Sequence, residues 1–298
     1  MNRRKFIYNS SLSSLSVMSL CSCNLNTRDL KITILHTNDV HSQIEPFPLN
    51  HHLYPNKGGF AKRASLFKDL ITINPNTLIF DAGDIFQGTP YFNFFQGELE
   101  LNLMKKMGYN AATIGNHEFD AGLKTFKKNI LNNNFQFISS NYDFTNTELE
   151  GLIDKYKIYN KEGIKIGVFG LGIELKGLVN PLLYGETNYY DPVDIAKDLS
   201  SKLKYEKGCD LVICISHLGH EYQNDKISDT ELAKLTSNID LIIGGHTHTL
   251  LNEPLILSNL SGEDVIVNQV GSSGVFVGKI DFHFSNNNKY SDKYLVEV

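Results

Sequence analysis

Five short patches rich in histidine, aspartate and glycine each follow an apolar run, and their order is the strongest constraint this chain carries. They are Asp39-Val40-His41, Gly83-Asp84-Ile85-Phe86-Gln87-Gly88, Gly115-Asn116-His117-Glu118-Phe119-Asp120, Ser216-His217-Leu218-Gly219 and Gly244-Gly245-His246-Thr247-His248. The preceding runs, Ile32 to Leu35, Leu78 to Phe80, Ala111 to Ile114, Leu211 to Ile215 and Leu241 to Ile243, read as buried strands. Between them Gly59 to Ile73, Glu98 to Met107, Leu123 to Leu131, Asp194 to Lys204 and Asp229 to Leu235 carry the single apolar stripe of an amphipathic helix. Strands alternating with helices predict β-α-β units, and in such sheets binding crevices lie at the carboxyl ends of the strands. All five patches fall there.

The middle and tail of the chain change period. Tyr156 to Tyr159, the Glu162-Gly163 turn and Ile164 to Phe169 predict a hairpin. Val265 to Val270, Val275 to Phe284 and Tyr294 to Val298 continue with strand-like alternation, interrupted by Gly271, Gly274 and a turn at Asn286 to Asn288. A second sheet should therefore pack on the first with helices on both outer faces. The expected fold class is α/β, a four-layer α/β/β/α sandwich with two mixed β-sheets. With no internal repeat, residues 31–298 are expected to form one domain.

Residues 1–22 are read as an export leader and residues 23–30 as a linker. Arg3, Arg4 and Lys5 form a charged start before a short apolar stretch from Leu12 to Leu20, too short for a bilayer-spanning anchor. Paired arginines before Phe6 resemble a twin-arginine signal. Leu20-Cys21-Ser22-Cys23 resembles a lipobox, so a lipid anchor at Cys23 in a bacterial cell envelope or periplasm is the expectation, an ordinary secretory peptide the alternative. Removing the three leader cations would take the formal charge from −5 to −8, which disfavours nucleic acid as a partner. Of the remaining cysteines, Cys214 sits inside an apolar run, and no Cys-x-x-Cys pattern suggests a zinc knuckle.

Asp39, His41, Asp84, Asn116, His217, His246 and His248 offer mixed oxygen and imidazole donors, a set suited to two divalent ions of Mn, Zn or Fe rather than to Ca or Mg. Phosphate ester hydrolysis needs a strong nucleophile at neutral pH and neutralised phosphoryl oxygens, and two cations about 3.5–4 Å apart supply both. A carboxylate must bridge them. Asp84 is the natural bridge, because Gly83 and Gly88 free the backbone around it. His117 need not ligate; with Asp120 three residues on as its hydrogen-bond acceptor it is a candidate catalytic pair, and Asp120 also stands where it could cap the next helix.

With these motifs in this order, from about Leu30 to Phe284, the chain resembles the 5'-nucleotidase branch of the calcineurin-like metallophosphoesterases. The resemblance implies one metal on Asp39, His41, Asp84 and His248 and a second on Asp84, Asn116, His217 and His246, with His117 and Asp120 catalytic. It also implies the four-layer fold and a small-molecule phosphoester substrate, nucleoside 5'-monophosphates first. Full-length members carry a further C-terminal domain that recognises the base. The alternative expectation is thus a half-enzyme or non-catalytic envelope subunit with a separately encoded partner domain. The position of His248 is glutamine in some relatives.

Other candidates read as structural or open. His220 could line a pocket or sit in a solvated loop. His51 and His52 are expected at the surface, His36 as loop support, and His283 at the surface of a strand. Phe92, Phe94 and Phe95 read as core aromatics before a helix, with shelter for a substrate beside the Asp84 loop as the alternative, and Gly271-Ser272-Ser273-Gly274 as either a phosphate-facing loop or a simple strand connection.

Overall fold

The computed structural model describes residues 30–285 and 288–298. The expected leader, the Cys23 read as a lipid-anchor position, most of the linker, and Asn286 and Asn287 of the expected turn lie outside these residues.

Alternation along strands buried on both faces decides the layering. In β1 (Leu30–Thr37) and β2 (Thr77–Asp81), Ile32, Ile34, Leu78 and Phe80 point one way, while Leu35 and Ile79 point the other. In β8 (Leu211–Ser216) the odd residues Leu211, Ile213 and Ile215 join Ile32 and Ile34 in a shared core, whereas Val212 and Cys214 face a different one. Two sheets therefore press their inner faces together, and each outer face has its own apolar layer.

The first sheet runs β13-β12-β1-β2-β3, with β3 Ala111–Ala112, β12 Phe276–Ser285 and β13 Asn288–Glu297. The second runs β10-β11-β9-β8-β6-β5, with β5 Tyr156–Lys161, β6 Ile164–Leu171, β9 Leu241–Ile243, β10 Leu255–Ser258 and β11 Asp264–Asn268. Both are mixed: β1, β2 and β3 are parallel, as are β6, β8, β9 and β11, and antiparallel strands flank each set. Helices Phe60–Ile73, Glu98–Met107 and Gly122–Asn133 supply Phe60, Phe67, Met104 and Phe126 to the outer core of the first sheet. Pro192–Ser201 and Asp229–Leu235 supply Ala196, Leu199 and Leu232 to that of the second. The expected α/β/β/α order holds.

Differences from the sequence reading are local. The third strand stops at Ala112, and Thr113 to Gly115 lead without regular structure into Asn116. The last strand starts at Asn288 rather than Tyr294, pairing with β12 from Ser285↔Asn288 onward. The helix expected to end at Lys204 is α-helical only to Ser201 and widens to a π turn over Lys202–Glu206. Strand β10, paired antiparallel with β11, and helix Pro90–Phe95 were not expected. Cys209 and Cys214 are buried and unpaired. Among the described residues no helix is long and apolar enough to cross a membrane.

Ile213 lies in the inter-sheet core with no solvent exposure, whereas Ile73 is 73% exposed. Ile213→Ala should cost about 2–5 kcal/mol and Ile73→Ala less than about 0.5 kcal/mol, read as urea midpoints. Equal midpoints for the two variants would contradict the assigned inner layer.

Candidate metal centre

The parallel strands of both sheets end on one side of the molecule, and each polar patch leaves from such an end. Asp39 follows β1, Asp84 follows β2, Asn116 follows β3, His217 follows β8 and His246 follows β9. The loops are knitted by main-chain bonds: Asp39 N donates to Gly83 O at 2.9 Å, His41 N to Asp84 O at 3.0 Å and Ser42 N to Ile85 O at 2.8 Å. Ser273 N donates to Asp39 O at 2.7 Å, which seats the Gly271–Gly274 loop against the same cleft.

Asp39, His41, Asp84, His246 and His248 all have φ between 49° and 72°. Non-glycine residues rarely occupy this left-handed region, and each such residue costs on the order of 1–3 kcal/mol unless its surroundings hold it there. At Gly83, itself at φ 87°, a Cβ would sit 2.6 Å from Gly115 N, so only glycine lets the second and third loops pass this closely.

The donor atoms form two groups. Side-chain atoms of Asp39, His41 and His248 lie within 4.8 Å of one another, and so do those of Asp84, His217 and His246. Asn116 Oδ1 is 2.9 Å from His246 Nδ1, adding it to the second group. Asp84 also lies within 4.8 Å of His41 and His117, which places its carboxylate between the two groups. All seven residues read from the sequence as ligands therefore meet, together with His117 and Asp120, around a cleft of about 490 Å³.

Protonation and orientation fit divalent cations. His217 Nδ1 donates to Ala82 O at 2.6 Å, leaving Nε2 to carry a lone pair when the ring is neutral. That Nε2 is buried without a hydrogen-bond partner among the described residues, although Asp84 Oδ2 is 3.0 Å away. Burial alone would lower the His217 imidazolium, but the Asp84 carboxylate outweighs it and lifts the pKa to about 10. The site thus demands positive charge between these two side chains, and a cation supplies it as well as a proton does. His41 Nδ1 faces Phe86 O at 3.3 Å, so its Nε2 meets His248 Nε2 at 2.9 Å, two ring nitrogens turned to one point. Burial pulls His246 down to about 4, keeping it neutral and able to ligate.

His117 is held differently. Its Nδ1 donates to Asp120 Oδ2 at 2.7 Å, and its ring lines the cleft. Burial lowers its pKa, but the hydrogen bond to Asp120 and nearby carboxylates raise it more, for a net rise. Asp120 does not cap the next helix; Ala121 occupies that position without a side-chain bond.

Sequence reading assigns no role to Glu118, yet this fully buried carboxylate accepts from Asp84 N at 2.9 Å, Ile85 N at 2.7 Å and Gly115 N at 2.6 Å. One side chain pins two ligand loops. The available signal was an acidic residue inside a turn flanked by groups that had to be buried. Gln269, also fully buried, braces the Gly-Gly-His-Thr-His loop by accepting from Thr249 N at 2.5 Å and Thr247 Oγ1 at 2.9 Å. His220 is buried and bonded through its backbone to Thr247, not solvated. His36 is buried against Asn268, as loop support requires, and His283 stacks on Tyr290 half-buried. His51 packs on Phe47 beside Tyr54, partly buried, rather than standing free at the surface. Ser273 lines the cleft.

Glu118→Ala would strand three buried N–H groups, each worth about 1–3 kcal/mol. The expected outcome is a lower urea midpoint together with reduced metal per chain after dialysis against Mn. Unchanged metal content and midpoint would show that the clamp is dispensable.

Comparison with known proteins agrees with this geometry. Residues 32–250 match the calcineurin-like phosphoesterase family. A 5'-nucleotidase of Vibrio parahaemolyticus is 32% identical over 318 residues, covering 96% of this chain and 55% of that protein. A snake venom 5'-nucleotidase of Gloydius brevicauda is 31% identical, covering 86% of this chain and 46% of that protein. The crystal structure of a 5'-nucleotidase precursor from Thermus thermophilus superposes with a TM-score of 0.78 at 29% identity, over 90% of this chain and 55% of its own. The chain spans about half the length of these relatives. On the family match and a fold shared with its solved relatives, the chain belongs to the calcineurin-like phosphoesterases.

Proposed function

We propose that this chain hydrolyses phosphate monoesters, nucleoside 5'-monophosphates first among them, with two divalent cations of the Mn, Zn or Fe type. The observation that carries the reading is the position of Asp84, whose carboxylate lies between the Asp39-His41-His248 group and the His217-His246 group. In this reading Asp39, His41, Asp84 and His248 hold one cation, and Asp84, Asn116, His217 and His246 the other. Two divalent cations held by these residues would supply a nucleophile from water at neutral pH and neutralise phosphoryl charge.

The chain's own groups do the rest. His117 Nδ1 is committed to Asp120, so Nε2 is the atom free to donate to a phosphoryl oxygen and then to the departing alkoxide. The net rise in its pKa, which the Asp120 hydrogen bond and nearby carboxylates bring about against burial, favours the protonated, donating form. His117 N donates to Asp84 Oδ1 at 2.8 Å, so the proton donor and the bridging carboxylate share one rigid turn. The relatives named as 5'-nucleotidases support a nucleotide substrate for this site.

Export belongs to the same reading. Support comes from the charged start and short apolar stretch of residues 1–22, from the Leu-Cys-Ser-Cys run ending in a Cys23 suited to acylation, and from relatives described as a venom protein and a precursor.

The test is turnover of AMP, 2',3'-cyclic AMP and p-nitrophenyl phosphate by the chain alone with the metal varied. AMP hydrolysis should depend on Mn or a similar ion and stop on chelation; no turnover with any divalent metal would overturn an independent enzyme. Two substitutions separate the roles. His117→Ala should keep metal content while kcat falls about 10²- to 10⁴-fold, whereas Asp84→Ala should empty at least one metal position. Equal metal loss in both variants would refute this division of labour.

A further inference from the structure

A second cavity opens beside the metal cleft, and its chemistry is the opposite. About 800 Å³ in volume, it shares Gln43 and Thr89 with the cleft, while its walls are Ile44, Pro46, Pro48, Tyr91, Phe94 and Phe95. From sequence, Phe92, Phe94 and Phe95 are expected in the core, with shelter for a substrate as the alternative. Only Phe92 is there, stacked on Phe86; Phe94 is 81% and Phe95 48% exposed. The short helix Pro90–Phe95 explains the split, because Tyr91, Phe94 and Phe95 stand at i, i+3 and i+4 on one face and Phe92 on another.

A contiguous exposed apolar surface, unlike scattered single side chains, marks a recognition site, and these residues line one groove together. This groove is also built rather than incidental. Tyr91 stacks on Phe95 with ring centroids 6.5 Å apart, and its hydroxyl donates to Glu45 Oε1 at 3.1 Å, tying one wall to the other. Thr89 Oγ1 donates to Ser42 O at 2.6 Å, so the groove hangs from the two loops that carry Asp39, His41 and Asp84. Among the described residues no lysine, arginine or histidine lines it, and Glu45 is its one charged group.

Resting on the phosphoesterase reading, we propose that this groove is the leaving-group subsite and takes the flat, uncharged ring of a nucleobase. A phosphate in the cleft would have its ester carbon chain cross Gln43 and Thr89, where cleft and groove meet. The ring beyond would lie against Phe94 and Phe95, and the Glu45 carboxylate would accept from a ring or exocyclic N–H. Aromatic faces hold bases by stacking, while the negative rim disfavours a second phosphate or other anionic tail.

The experiment compares kcat/KM for AMP and ribose 5-phosphate, which share the phosphate and sugar and differ in the base. The wild-type chain with Mn should prefer AMP by at least about tenfold. In Phe94→Ala, and more strongly in the double variant with Phe95→Ala, the AMP to ribose 5-phosphate ratio should fall about 5- to 100-fold, the loss expected for one base-aromatic stack. The change should appear in KM for AMP rather than kcat, because stacking holds ground state and transition state alike. Phe94 is exposed enough that its truncation leaves the core intact, and continued ribose 5-phosphate turnover reports a folded cleft. A wild-type ratio near one, or a ratio unmoved by either variant, would overturn the subsite while leaving the phosphoesterase standing. Absence of turnover of both substrates by the wild-type chain would overturn both readings.

Discussion

A carboxylate shut away from water has to be matched by donors or positive charge, and Asp84, 2% exposed, is the group around which this molecule is arranged. It sits where the ends of the two sheets meet. His217 reaches it from one sheet and the His117 backbone from the other, and the positive charge of His217 holds its pKa well below the ordinary carboxylate value despite burial. The left-handed backbone at five of the seven donor residues and the close crossing at Gly83 follow from bringing loops this near one point. Three apolar layers supply the cohesion that lets the loops remain in unfavourable conformations.

Much of this was legible in the chain. Strands buried on both faces announce themselves as short continuous apolar runs, so Ile32 to Leu35 and Leu211 to Ile215 could be placed without knowing their partners. The donor residues were equally visible, because histidine, aspartate and asparagine directly after such runs can only occupy loops at strand ends. His117 and Asp120 were recognisable as a pair because three residues in a turn bring the two side chains together.

What escaped the sequence depended on distant neighbours. Glu118 looks like any acidic turn residue until the second loop folds over it and offers its N–H groups. Strand β10 is largely exposed and carries little of the apolar signal that marks its neighbours. Phe94 and Phe95 have the composition of core residues, and only the pitch of a six-residue helix turns them outward. Gln269 likewise acquires its bracing role from a loop more than twenty residues earlier in the chain.

The seam between the two sheets gives a cation more than a chemical part to play. Donors from the first sheet, Asp39 and Asp84, face donors carried by the second, His217, His246 and His248, across the rim of the inter-sheet core. Ions held there would act as rivets through the open edge of a laminate, their binding free energy adding to the resistance of the layers to parting. A metal-starved molecule would then loosen from this rim inward.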